Sequence, residues 1–129
     1  MAADTVTSQT LLDGPRNVVM KFTNVSGGDG ESAVTKVDVS ALTGAPSRVA
    51  VERIHYATSG MAVNILWGAD TNVPAFLVPT DQSGSFDFDP FGGLINNAGT
   101  GVTGDIKFTT IGHTANDVYT IILEMRKQP

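Results

Sequence analysis

"MAVNILWG", Met61 to Gly68, is the stretch on which the fold class turns. Read as extended chain, it puts Met61, Val63, Ile65 and Trp67 on one side and the intervening Ala62 and Asn64 on the other, the period of two that half-buried strands require. Read as a helix, it fails on length, because the run closes at Gly68 before the roughly 10 to 12 residues a helix needs. The same alternation governs "DVYTIILEMR", Asp117 to Arg126, where Tyr119, Ile121, Leu123 and Met125 share a face opposite Thr120, Glu124 and Arg126.

Working outward from these two runs, weaker alternation marks Thr5 to Leu12, Arg16 to Val25, Ala33 to Leu42, Gly84 to Phe88 and Asp105 to Ile111. In "RVAVERIHYA", Arg48 to Ala57, the apolar residues slip from odd positions (Val49, Val51) to even ones (Ile54, Tyr56), which predicts a β-bulge near Glu52 and Arg53. Gly-rich and Asn-rich segments punctuate the runs, among them "SGGDGES", "TGAPS", Ser59-Gly60 and "NNAGTGVTG". Pro15, Pro46, Pro74, Pro79, Pro90 and Pro129 are all expected at boundaries or ends, where no ladder hydrogen bond is lost. No segment has a helical period. Short strands with one apolar face must pair faces, so the expected fold is all-β, a single-domain antiparallel β-sandwich or jelly roll of eight to nine strands. Residues 1–14 are expected to form an N-terminal arm or an edge strand, and residues 15–129 the sandwich domain.

Bulk composition narrows the function classes. With 129 residues the chain can bury a core without staples, and the lack of cysteine excludes disulfides, thiolate zinc sites and thiol nucleophiles. Thirteen acidic against eight basic residues give a net charge of −5, which disfavours a nucleic-acid partner without a concentrated basic patch. The first residues lack the basic and apolar regions of a secretory leader, and no run is long enough to span a bilayer, so synthesis in the cytoplasm and no membrane partner are expected.

Three motifs invite a chemical role. In "FDFD", Asp87 and Asp89 would point to one side of a strand about 6.8 Å apart, within the range of an inverting carboxylate pair, but any two like-facing strand residues share that spacing. The expected arrangement is a wet acidic face opposite buried Phe86 and Phe88. Gly99, Gly101 and Gly104 match G-x-G-x-x-G, yet the following "DIKFTTI" is strand-like and supplies no helix N-terminus for a phosphate. His55 and His113 stand in no metal-binding spacing, no G-x-S-x-G elbow is present, and "GGDGES" around Asp29 and Glu31 lacks the alternating acids of a calcium loop. No enzyme activity, cofactor or metal is expected, and Trp67 is placed in the core or at its edge.

The apolar residues outside the sandwich pattern point to protein contacts. Phe91, Leu94 and Ile95 lie in "DPFGGLINN", and Phe76, Leu77 and Val78 lie between two prolines in "NVPAFLVPT". The N-terminal run, with Val6 and Leu11, is β-prone and almost uncharged, suited to adding a strand to a neighbour. Phe76, Phe91, Leu94, Ile95, Val6 and Leu11 are therefore the expected interface residues.

Across "TLLDGPRNVVMKFTNVSGGDGE", "RIHYATSGMAVNILWGAD" and "FGGLINNAGTGVTGDIKFTTIG" with "YTIILEMRK", the sequence resembles small virion structural proteins of tailed bacteriophages. The resemblance implies a capsid decoration or cement protein of compact β fold. Its partners would be the major capsid protein or other virion proteins and further copies of itself, as a dimer or trimer. A tail or head-tail connector component, or a carbohydrate-binding module using "FDFDPF" and Trp67 as a platform, are the alternatives.

Overall fold

A computed structural model describes residues 5–28, 31–42, 44, 48–69, 72–88, 93–94, 104–112 and 116–128. Among the described residues there are nine strands: β1 (Thr5–Asp13), β2 (Asn17–Val25), β3 (Val34–Val37), β4 (Arg48–Ser59), β5 (Ala62–Trp67), β6 (Val73–Val78), β7 (Ser83–Asp87), β8 (Ile106–Ile111) and β9 (Val118–Gln128). They form a five-stranded sheet in the order β1-β2-β9-β4-β7 and a four-stranded sheet in the order β3-β8-β5-β6, antiparallel throughout. The protein is an all-β sandwich. The pairings nest: β2 lies on β9, β3 on β8, β4 on β7 and β5 on β6, as if one long hairpin had been folded over on itself.

The inner faces follow the sequence period. Val18, Met20 and Phe22 of β2, Tyr119, Ile121, Leu123 and Met125 of β9, Met61, Val63, Ile65 and Trp67 around β5, and Ile106 and Phe108 of β8 are all buried in one cluster. The sheets are keyed together by Phe108, whose ring meets Phe22 edge-on at 5.2 Å and Tyr119 edge-on at 5.8 Å. Trp67 is 1% exposed, a core residue as its place in the alternation requires. The slip in β4 is a bulge: Val51 lies opposite Met125 and Arg53 opposite Glu124, leaving Glu52 as the extra residue.

Three expectations are corrected. "VPAFLV" is not a loop but β6, and Pro74 sits inside it; the strand is the free edge of its sheet and its register shifts beside Pro74, the setting in which proline takes no ladder bond away. The third run is shorter than Ala33 to Leu42, because Asp38 accepts from the Ser40 amide and turns the chain into a 3-10 turn over Val39–Ala41. The plain hairpin loop that the sequence suggests around Glu31 is not found either, since the flanking β2 and β3 belong to different sheets. Glu31 is 7% exposed and forms an ion pair with Lys36, itself 7% exposed, while Tyr119 Oη donates to Glu31 Oε1 at 2.5 Å and Asn24 Nδ2 donates at 3.0 Å. Lys36 turns inward because a register shift between Thr35 and Val37 makes it the extra residue of β3.

Two substitutions test this account. Glu31→Ala leaves the Lys36 ammonium buried without its carboxylate and is expected to destabilise the protein by about 3–5 kcal/mol, whereas Glu31→Leu with Lys36→Met recovers most of the loss. Gly60→Ala combines a positive φ of 84° with a Cβ 2.1 Å from Asp117 Oδ1, so urea unfolding is expected to show a loss of about 1–2 kcal/mol or more.

Candidate functional site

The outer face of the five-stranded sheet carries a cluster of ionisable side chains. Strand register brings Arg53 opposite both Asp87 and Glu124, and its guanidinium reaches Asp87 at 3.2 Å and Glu124 at 3.5 Å. His55, two residues along β4 on the same face, meets Glu124 through Nε2 at 2.5 Å. These groups are a third to a half exposed, so each pair contributes no more than about 1 kcal/mol. Beside them a shallow hollow of about 180 Å³ is lined by His55, Ala57, Gly84, Thr120 and Ile122. Ser85 lies opposite His55, but no hydrogen bond joins the two, and the face is an open sheet rather than a cleft. A His–Glu pair without a bonded nucleophile is a surface hydrogen-bonded contact and does not by itself form a proton relay for acyl transfer.

The carboxylate pair proposed for "FDFD" is not assembled among the described residues, since Asp87 is committed to Arg53 and Asp89 lies outside them. No group of three His, Cys, Asp or Glu side chains suited to a metal is found among the described residues.

The aromatic side of the same strand departs from expectation. Phe88 is 7% exposed, but Phe86 is 47% exposed. Register places Phe86 opposite the buried Ile54, so it does face inward; β7 is the last strand of its sheet, and no further strand covers it. Phe86 instead meets Phe76 of β6 edge-on at 5.1 Å and stacks on Tyr56 at 6.2 Å, closing the seam between the two free edges with a cluster of rings. Phe76 is thus half-buried against the core through this cluster rather than a free loop residue.

Leu94 also folds back. It bridges to Val51, with Val51 N–H donating to Leu94 at 2.9 Å and Leu94 N–H donating to Val51 at 2.7 Å, and packs on the core as a lid. Phe91 and Ile95 lie outside the described residues.

The other expected interface residues stand open. β1 is the terminal strand of the five-stranded sheet, paired with β2 from Thr5 to Asp13, so this segment is an edge strand of its own sheet. Residues 6–12 are exposed along both faces, with Val6 at 39%, Leu11 at 55% and Leu12 at 51%. The reason is topological: the second sheet is one strand narrower, and β1 overhangs it. The strand has no charge from Thr5 to Leu12 and no proline, the two usual guards of a free edge. Leu12, missing from the expected set, becomes part of this surface because a register shift between Thr10 and Leu12 turns it onto the outer face beside Val19.

Compared with known proteins, the chain matches no family model and no curated protein.

The contrast between core and surface is measurable by urea unfolding. Trp67→Ala is expected to lose about 3–5 kcal/mol as a large core deletion, while Arg53→Ala loses less than about 1 kcal/mol.

Proposed function

We propose that this chain is a non-enzymatic structural protein of a tailed-phage virion, made in the host cytoplasm, that binds the outer shell as an oligomer and stabilises it. The observation that carries the proposal is β1: a nine-residue edge strand, uncharged from Thr5 to Leu12, free along one side and exposed on both faces. Such an edge offers main-chain donors and acceptors to an added strand, with Val6, Leu11 and Leu12 as the apolar contacts that set register. We further read the nested strand pairing as the jelly-roll form of the sandwich, an architecture used in viral capsid and lectin domains. Each copy would contribute a modest contact, and many copies on one lattice reinforce one another. The carbohydrate reading loses its main support with the burial of Trp67.

Re-decoration of purified shells stripped of this protein is the test. The unaltered chain is expected to bind and sediment with the shells, and Val6→Lys with Leu11→Lys is expected to lower occupancy at least tenfold with unchanged melting temperature. An unaltered chain that stays in the supernatant overturns the proposal, and full occupancy by the double variant removes β1 from it.

A further inference from the structure

The buried ion pair of Glu31 and Lys36 holds a third partner that pairing of charges does not require. Asn24 of β2 lies opposite Tyr119 and is 1% exposed. Its Nδ2 donates to Glu31 Oε1 at 3.0 Å, while Lys36 Nζ donates to Glu31 Oε2. A single carboxylate therefore holds a lysine nitrogen on one oxygen and a primary amide on the other. The carboxylate is itself fixed in place: Tyr119 Oη donates to Oε1, the Glu31 amide donates to Thr110 Oγ1 at 2.8 Å, and the Thr110 amide donates to the Glu31 carbonyl at 3.0 Å. Lys36 Nζ lies over the Phe108 ring, and the side chains of Lys36 and Glu31 are only 2% and 4% exposed, so the site is dry.

We infer that Lys36 and Asn24 join in an isopeptide bond, formed by the chain itself with Glu31 as the proton carrier. Glu31 Oε2 takes a proton from the Lys36 ammonium, which leaves a nucleophilic amine and removes a charge separation that a dry core disfavours. The Nζ lone pair then bonds to Asn24 Cγ. The Glu31 carboxyl gives its proton to Nδ2, which it already contacts, and takes a second proton from Nζ as the Cγ–Nδ2 bond breaks. Ammonia leaves, and with the proton still on Glu31 it departs as ammonium. An Nζ–Cγ amide remains, and no oxidant or cofactor enters the balance. Proximity supplies the rate: the attack is intramolecular, and well-oriented groups reach effective concentrations of about 10⁵–10⁸ M.

Topology gives the bond its effect. β2 belongs to the five-stranded sheet and β3 to the four-stranded one, so the link ties the two sheets together covalently. It also closes residues 24–36 into a loop, which restricts the unfolded chain as other cross-links do. The chain has no cysteine, and this bond would staple it without one. The energies of the Glu31–Lys36 ion pair apply to chains in which the bond has not formed. The inference is independent of binding to a shell.

Intact-mass spectrometry of the folded full chain, followed by peptide mapping after complete denaturation, tests it. The unaltered chain is expected to weigh less than its sequence requires by one ammonia. Trypsin is expected to pass over Lys36 and release residues 22–48 as one fragment, and a glutamate-specific protease cutting after Glu31 is expected to leave the two halves joined. Asn24→Ala and Lys36→Arg are expected at full mass, with trypsin cutting after position 36. Glu31→Gln keeps the shape of the side chain but not the base, and is expected to lower the linked fraction by at least about tenfold, with circular dichroism verifying the fold. The first reading is made on the unaltered chain and needs no variant to fold. An unaltered chain still at full mass after days in the folded state overturns the inference. So does a deficit of one ammonia with Lys36 still cut by trypsin, which marks a succinimide, or a deficit of one water, which marks a Lys36–Glu31 bond. Linking unchanged by Glu31→Gln in a folded chain overturns the part given to Glu31.

Discussion

The contact of Phe108 with Phe22 on one side and Tyr119 on the other holds the two sheets in register, and the rest of the molecule is arranged around it. Phe22 and Tyr119 belong to β2 and β9, the neighbouring strands of the five-stranded sheet, while Phe108 descends from β8 of the other. Edge-on ring pairs of this kind add about 0.5–1.5 kcal/mol beyond the burial of their area. Tyr119 also joins the core to a buried ion pair, since its hydroxyl donates to Glu31, and Lys36, the partner of Glu31, lies with Nζ 5.9 Å from the centre of the Phe108 ring. A buried ion pair is weak evidence for stability against a purely apolar alternative, but it is costly to break singly, so it fixes where the β2–β3 connection enters the sandwich.

Fixing the sheets this way leaves a mismatch of one strand. Among the described residues, five strands over four leave β1 as the overhanging margin, and a cluster of rings closes the opposite margin between β6 and β7. The surface is then partitioned. Paired charges occupy the outer face of the wide sheet, and an uncharged strand forms one margin. A protein acting alone in water gains nothing from such a margin, and exposed strand edges are normally guarded against. A protein built to be covered by neighbours does gain from it.

Much of the fold is legible in the sequence because both central strands alternate without interruption. Met61 to Trp67 and Tyr119 to Met125 are buried as their period requires, and the slip from Val51 to Ile54 marks a real bulge. What escaped detection lies at edges and irregularities. "VPAFLV" was obscured by its prolines, although an edge strand tolerates proline. The inward turn of Lys36 has a signal of the same kind as the β4 bulge, the change of apolar parity between Val34 and Val37, but a lysine at the slip conceals it. Phe86 shows a different difficulty. Alternation correctly tells which way it faces, but whether anything lies over it depends on strand order, which no local pattern carries. The same holds for the residues expected at an interface. Val6 and Leu11 are exposed as composition suggests, while Phe76 and Leu94 pack back onto the core through long-range pairings invisible in the chain.

The unguarded margin of the wide sheet is the proposed docking edge. Hydrogen–deuterium exchange of the chain alone and bound to purified phage shells addresses it most directly. Those amides of residues 5–12 that do not donate to β2 are expected to exchange fast in the free protein and to become strongly protected on the shell, while the amides of β7 change little. Protection confined to β7 and the aromatic seam, or none anywhere in the chain, would contradict it.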